Sequence, residues 1–392
     1  MNESVALSAG LGNILMVVHS YYEDDTRVRR EAEALTRAGY SVDIVALRKP
    51  GQYREEELSG VSVRRINVGR SESRGKLSYI FEYLNFFIRS FLVCSKKSLF
   101  RKYKFFFAHN MPNFLVFCGL VPRLRGAEVV LDMHDSMPEL FSTIYGIRSG
   151  FLKGVLYIEE RLSCAFSNRL ITANRYIEKV LTERTGKNFF VLHNTPDTEI
   201  LPADDIRERV KTSTENIVLL HHGNIHKRYG LDRVLPIMSS LAPKNVQLEV
   251  HGRGPWYSEV QNKAKELGVQ DYCIFGGGFK PEDAQNFLSK ADVGLVLNYS
   301  DPLADLLLPV KMLEYIASGI PVVCPRTKGI ELYFPKDSVY YFESDQELKE
   351  ILMEVVSNLQ EAKERAMLAK QIYKDISWKV EEQRFVAFLQ SA

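Results

Sequence analysis

Short apolar runs alternate with longer amphipathic stretches along nearly the whole chain. The run NILMVV (13–18) leads into a polar loop and then a helical stretch, RVRREAEALTRAGY, which Gly39 is placed to end. SVDIVAL follows as a second strand. This strand–loop–helix–strand rhythm predicts a parallel sheet with crossover helices. Further strands are expected at VSVRRINV, KFFFAHN, EVVLDMHD, RLITAN and NFFVLHN, with helices over 74–100, 112–124 and 150–167.

The rhythm restarts at ENIVLLHHGNI, after the charged, weakly apolar stretch PADDIRERVKTSTE (202–215), which reads as a linker. Strands are then expected at VQLEVHG, YCIFGG, VGLVLN, IPVVCP and VYYF. Helices are expected over 230–240, 255–267, 281–290, 309–318 and 345–374, and a last one over 377–391 follows a break at DISWK. Two open parallel sheets in tandem are predicted. Ligands of such sheets bind beyond the carboxyl ends of the strands, so the loops there are the place to look for chemistry.

Composition narrows the class. The 392 residues are 45% hydrophobic and 26% charged, ordinary for a globular protein and long enough for two domains. A net charge of +2 gives no general nucleic-acid footprint. Five cysteines, scattered and without a C-x-x-C, predict reduced thiols, not a disulfide framework or a zinc site. His222 and His226 are separated by Gly223, which argues against a shared helix face and against a metal. The first residues lack the basic region of a secretory signal, and no apolar run reaches the roughly 18–20 residues of a spanning helix. A cytoplasmic chain is expected.

One apolar segment breaks its own pattern. LLLPVKMLEYIASGIPVV (306–323) carries Lys311 and Glu314 three residues apart. Pro309 suits a first helical turn, Gly319 suits the end of that helix, and PVVC reads as a buried strand. At this spacing the two charges share a helix face. Two readings stay open on spacing alone. One is a surface ion pair worth about 0.2–0.5 kcal/mol. The other is a ligand site, in which the helix start around Leu308, Pro309 and Val310 receives an anion and the carboxylate accepts from a ribose diol.

LPVKMLEYIASGIPVV resembles the donor-site signature of the family-four glycosyltransferases, retaining enzymes of the GT-B fold. Their pattern is Glu-x7-Glu, and its second glutamate matches Glu314, which the resemblance makes the ribose ligand. The first falls at Leu306, a departure, and Asp305 one residue earlier is the candidate replacement. Lys311 resembles the P-x-K-x-x-E-Y variant of the motif. LLHHGNIHKRYGLDRVL (219–235) resembles the family's diphosphate loop, with Gly223 and Asn224 at the strand end and Lys227 and Arg228 as cations. VHGRGPWYSEV and IFGGGFKPEDAQNFLSKADVGLVLN resemble the following blocks, where Arg253 or Phe279 would contact the base. Each block alone also fits a plain turn; their order and spacing over 219–323 carry the resemblance.

The first half matches more loosely. FFFAHN and VVLDMHD each end a strand with histidine and a polar residue, so His109, Asn110, His134 and Asp135 are expected to face a cleft. The resemblance places His134 near the reacting sugar. Tyr21, Asp25 and Arg27 in the first loop, with His109 and Asn110, are the acceptor-side candidates.

The implied fold is α/β: two Rossmann-like parallel-sheet domains facing a central cleft. Residues 1–205 would bind the acceptor, 206–375 the donor, and a helix over 376–392 would cross back to the first domain. The implied reaction moves a sugar from a nucleotide diphosphate, UDP or GDP, to a hydroxyl of a glycan or lipid-linked acceptor, in surface glycan or glycoconjugate synthesis. No cofactor or metal is implied, since no D-x-D is placed at a strand end. Residues 74–104 hold eight Lys or Arg against Glu82 alone, interleaved with aromatic residues. Such a stretch reads either as a crossover helix or as a contact with an anionic membrane surface. Rival readings are a nucleotide-sugar epimerase and a catalytically silent subunit of the same fold. A dinucleotide oxidoreductase is disfavoured, because no G-x-G-x-x-G follows the first strand.

Overall fold

A computed structural model describes residues 10–68, 76–146, 149–196, 216–280 and 283–391. The chain divides into two compact units, Met1–His193 with Glu382–Ala392, and Asn194–Glu381. The first break thus follows residue 193 where 205 was expected, and the second falls at 382 where 376 was expected. The predicted linker at 202–215 lies outside the described residues.

Unit 1 runs β1 (Gly12–Val18), α1 (Thr26–Arg37), β2 (Tyr40–Leu47), β3 (Glu55–Leu58), β4 (Val61–Ile66), α2 (Lys76–Phe100) and β5 (Phe105–His109). It continues through α3 (Leu120–Leu124), β6 (Glu128–Met133), α4 (Met137–Tyr145), α5 (Gly150–Phe166), β7 (Arg169–Thr172), α6 (Arg175–Thr185) and β8 (Phe190–Val191). The sheet order is β3-β4-β2-β1-β5-β6-β7-β8, parallel except for the β3–β4 pair. Apolar side chains on both faces of β1, β5 and β6 are buried, as a sheet covered on both sides requires.

Unit 2 runs β9 (Ile217–Asn224), α7 (Leu235–Leu241), β10 (Val246–Arg253), α8 (Tyr257–Glu266), β11 (Cys273–Gly277), α9 (Ala284–Leu288) and β12 (Val293–Leu295). It continues through α10 (Val310–Ala317), β13 (Val322–Pro325), α11 (Lys328–Glu331), β14 (Tyr340–Phe342), α12 (Asp345–Ser357) and α13 (Leu359–Lys374). Its sheet is parallel throughout, in the order β11-β10-β9-β12-β13-β14.

The last helix, α14 (Trp378–Gln390), carries the chain back into unit 1. Phe385 is buried against Phe107, ring centroids 6.2 Å apart. Phe388 stacks on Phe190 at 4.3 Å, and Arg37 pairs with Glu382 at 2.9 Å.

Several elements differ from expectation for local reasons. The helix expected over 345–374 is two, because the Asn358 side chain accepts from the Glu361 N–H and starts α13 anew. The helix expected over 230–240 opens as two 3-10 turns, Lys227–Tyr229 and Leu231–Arg233, and Pro236 sits in the first turn of α7. The stretch expected as a helix over 112–124 begins as a 3-10 turn, Asn113–Gly119. Strand β3 was not anticipated: EEEL is a charged edge strand, a composition that hides β structure from propensity while protecting an open edge. Helices α4 and α6 were also not anticipated. All five cysteines are free, and only Cys273 is not fully buried.

Tight packing at strand ends accounts for some glycines. Gly230 has φ +64°, and a Cβ there would lie 2.0 Å from the Leu297 carbonyl oxygen. Gly268 has φ +66° with nothing within 4 Å. Gly268→Ala should therefore cost about 1–2 kcal/mol for conformation alone, and Gly230→Ala distinctly more, above about 2 kcal/mol. Urea midpoints at unchanged slope measure both, and equal losses would show that the carbonyl contact is not what excludes a side chain.

Candidate functional site

In unit 2, β9 is buried through His222 and then leaves the core at Gly223 and Asn224. Gly223 has φ +103°, and the site of its missing Cβ lies 3.7 Å from Lys311 Cε. Helix α10 is capped by Pro309 and buries Met312, Leu313, Tyr315 and Ile316 in the core. The Tyr315 ring lies over Gly294 of β12, where a Cβ would meet the ring at 2.4 Å. The helix ends with the Gly319 N–H donating to the Ile316 carbonyl, 2.8 Å, at φ +65°.

This seating aims both charges of α10 at the end of β9, each at its own partner. The Tyr315 hydroxyl donates to the Leu220 carbonyl, 3.0 Å, so its lone pairs accept from the His222 backbone N–H, 3.3 Å, and from His222 Nδ1, 2.9 Å. His222 Nε2 then lies 2.5 Å from Glu314 Oε2, a short charge-assisted contact with one proton between them. The imidazole is thus a brace between Tyr315 and Glu314. The sequence reading missed it, having weighed His222 only as a metal ligand; the signal was a second histidine in an otherwise apolar strand.

Lys311 Nζ lies 3.3 Å from His221 Nε2 and 5.1 Å from the centre of the Tyr229 ring. Burial lowers the Lys311 pKa to about 8, against the opposing charge of Glu314. Burial, then the charge of Lys311, hold His221 well below the usual imidazole range, so it is neutral. The ammonium therefore rests on uncharged partners. Arg228 adds a second cation: its Nη2 is 3.6 Å from Asp301 Oδ2, and its buried Nε and Nη2 make no hydrogen bond. Buried donors without acceptors are costly, and they suit a site that receives an anion. Lys227 and Asn224 are exposed beside it.

The other expected residues surround the same strand ends. Asn224 pairs in register with Arg253, and the Arg253 side chain crosses Gly278, where a Cβ would meet Nε at 1.7 Å. Phe279 packs edge-on against Phe287 at 4.8 Å and lies 6.1 Å from the His222 ring. Leu308 and Val310 are half-buried beside Pro309. Leu306 is 4% exposed and part of the core, so its position offers no carboxylate. Asp305 next to it is 36% exposed and pairs with Lys328 at 3.5 Å.

In unit 1 the expected residues gather around one carboxylate that the sequence reading did not single out. Asp132, buried at the end of β6, takes Arg27 Nη2 at 2.7 Å and Arg27 Nε at 3.1 Å. It also faces His109 Nδ1 at 3.1 Å and His134 Nδ1 at 3.3 Å. Burial would raise its pKa, but Arg27 and both histidines hold it well below the usual carboxylate range. Burial opposes the charged form of His134, yet the hydrogen bond and charge of Asp132 outweigh it and raise the His134 pKa. Glu31 completes the cluster, 3.1 Å from Arg27 Nε, and burial followed by the Asp132 charge lifts it to about 6. Glu31, His109 and Asp132 could present metal-ligand atoms within 4.8 Å of one another, but Arg27 already supplies positive charge to both carboxylates.

This geometry corrects the acceptor-side expectation. Arg27, His109 and Asn110 are buried inside unit 1 and do not face solvent. Asn110 Oδ1 accepts from the His134 N–H at 3.2 Å and its Nδ2 donates to the Asp135 carbonyl at 2.6 Å, so it fixes the loop that carries His134. Asp25 caps α1 by accepting from the Val28 N–H. Tyr21, Asp25, Asp135 and His134, whose side chain is 21% exposed, are partly accessible. An acid after the apolar run VVL, inside the strand EVVLDM, was the available signal for Asp132.

Residues 202–375 match the family model for glycosyl transferases group 1, and residues 25–193 match that for a glycosyl transferase 4-like domain. No curated protein matches the chain. Among solved structures it is similar to a sucrose-phosphate synthase from Thermosynechococcus elongatus. The two share 16% identity and a TM-score of 0.78, over 96% of this chain and 98% of that one. It is also similar to Anabaena Alr3699/HepE in complex with UDP, at 13% identity and TM-score 0.72, over 97% and 100%. WaaG, a glycosyltransferase involved in lipopolysaccharide biosynthesis, is similar at 17% identity and TM-score 0.66, over 97% and 100%. Each parallel-sheet unit thus matches its own glycosyltransferase domain model, and the chain belongs to the glycosyltransferases of the GT-B fold.

Proposed function

We propose that the protein is a retaining transferase that moves a sugar from a UDP- or GDP-sugar to a hydroxyl of a glycan or lipid-linked acceptor in surface glycan synthesis. The observation that carries this reading is the end of β9. There Lys311 rests on neutral partners, Arg228 has buried donors without acceptors, and Glu314 is braced by His222. These are a diphosphate site and a ribose carboxylate in one place. Relatives of similar fold have been solved with UDP and UDP-glucose, which supports a nucleoside diphosphate.

In this reading Glu314 accepts from the ribose diol, and Lys311, Arg228, Lys227 and the N–H groups opening α10 receive the diphosphate. The bond from the anomeric carbon to the phosphate oxygen breaks as that carbon bonds the acceptor oxygen. The leaving phosphate takes up the acceptor proton, and its growing charge is what the cations stabilise. Arg253 and Phe279 border the base, and Asp305 stands in for the sugar-side carboxylate that Leu306 cannot supply. In unit 1, Tyr21 contacts the acceptor. His134 positions the sugar, held by Asp132 with Arg27 and His109 behind it. A lipid-linked acceptor would bring residues 74–104 to a membrane surface.

Three outcomes test this. Glu314→Ala should abolish the thermal shift that UDP- or GDP-sugars produce, and His222→Phe should weaken donor binding about tenfold by removing one charged hydrogen bond. Unchanged affinity in both variants would remove the ribose assignment. His134→Ala should keep the donor shift but lose transfer, seen as missing glycoside product. Since burial holds Lys311 at about 8, the ammonium deprotonates as pH rises through that value, and a bound diphosphate favours its charged form. UDP affinity should fall above about pH 8 and binding near pH 8.5 should take up protons. Calorimetry in buffers of different ionisation enthalpy reads this uptake, which Lys311→Met should eliminate.

A further inference from the structure

Helix α2 carries an exposed apolar stripe. Phe81, Leu84, Ile88, Leu92 and Leu99 recur at helical spacing, and Phe81 is 72% exposed. A second stripe lies on α5, at Phe151, Val155, Ile158 and Leu162, with Phe151 80% exposed. Leu124 of α3 is 78% exposed. Both long helices pack on the 3-10 turn between β5 and α3: Phe87 meets Phe114 at 5.5 Å, and Phe166 meets Phe117 at 5.1 Å. The crossovers after β4, β5 and β6 all step in one direction along the sheet, so right-handed connections put α2, α3 and α5 on one face. Contiguous apolar exposure of this kind marks an interaction surface.

The exposed charges described on these three helices are all basic. Their carboxylates are Glu82 and Glu160, both buried, and Glu159, which accepts from Asn113 at 3.0 Å. Lys96, Arg123, Arg125 and Arg161 are exposed. Beside the α2 stripe lies a cavity of about 450 Å³ to which Leu92 and Val93 contribute. It is lined by five arginines: Arg48, Arg54, Arg64, Arg65 and Arg89. Arg64 and Arg65 already pair with Glu55, Glu23 and Glu56. Arg48 donates to the Gln52 carbonyl, and Arg89 to Asn85 and to the Asn67 carbonyl, all neutral. A cavity with this many guanidinium groups suits a phosphate.

We propose that the outer face of unit 1, formed by α2, α3 and α5, docks on an anionic lipid bilayer. The two stripes enter the acyl boundary, and the arginine cavity takes the phosphate of a lipid headgroup. No helix among the described residues is long and apolar enough to cross a membrane, so the contact is peripheral. A second copy of the chain is the poorer occupant: a two-fold pairing of this face would set basic residues against basic residues. The proposal stands on this surface alone and does not depend on the donor site or on transfer.

The test is co-sedimentation of the full chain with vesicles of phosphatidylcholine alone or mixed with phosphatidylglycerol. The chain should pellet with the anionic vesicles and be released by salt. Ile88→Ser with Ile158→Ser should weaken binding by at least roughly tenfold, and Arg54→Ser with Arg89→Ser should weaken the preference for the anionic lipid by a similar factor. Both double variants should keep the wild-type Tm and the donor-induced shift, so that failure here is distinct from failure of the proposed function. Hydrogen exchange on the unaltered chain, slowed by anionic vesicles at 80–100 and 150–162, gives the same reading without substitution. Free glycerol phosphate producing the same protection would assign the cavity to a soluble anion and overturn the proposal. So would an unbound wild type, unslowed exchange, or a wild-type dimer that Ile88→Ser with Ile158→Ser dissociates.

Discussion

A parallel strand covered on both faces can place charge only at its ends or against a buried partner. Both sheets of this protein obey that constraint, and it organises everything else. β9 is apolar until His221 and His222; β6 opens on Glu128 at its amino end and is then apolar until Asp132; β5 is apolar until His109. The carboxyl ends of the strands therefore collect the polar groups, and the loops beyond them inherit a site.

The two units meet the constraint differently. In unit 2 the buried polar groups form a short chain in which each hydrogen bond fixes the next: Leu220 carbonyl, Tyr315, His222, Glu314. A carboxylate held this way meets a ligand in one orientation, without ordering itself at the moment of binding. In unit 1 a single buried carboxylate, Asp132, gathers three cationic or polarisable side chains. Removing the centre of such a cluster leaves buried charges without a partner, which is why Asp132 and Arg27 belong together. The consequence for His134 is orientation: Nδ1 faces the carboxylate, Asn110 holds its backbone, and part of its side chain reaches solvent.

Several residues expected to make contacts thus lie one layer further in. Arg27, His109 and Asn110 were read as facing a ligand because each ends a strand or lies in the first loop. Strand-end position was right, but it does not say which way a side chain turns. Asp132, on the strand beside His109 and two residues before His134, faces Nδ1 of both rings and draws them inward.

Both α/β units, the parallel run of their strands and the charged turn of α10 were legible in the sequence, because periodicity, Gly319 and Pro309 act locally and two charges in an apolar helix demand a reason. Edge strand β3, the break at Asn358 and the late start of α7 were harder to read, since single side chains and one proline outweigh propensity there. What only the tertiary structure decided is partnership. Lys311 and Glu314 are three residues apart, yet one turns to His221 and the other to His222, ninety or more positions away in the chain. Spacing sets which groups share a helix face; packing of that helix on a distant strand sets what each group meets.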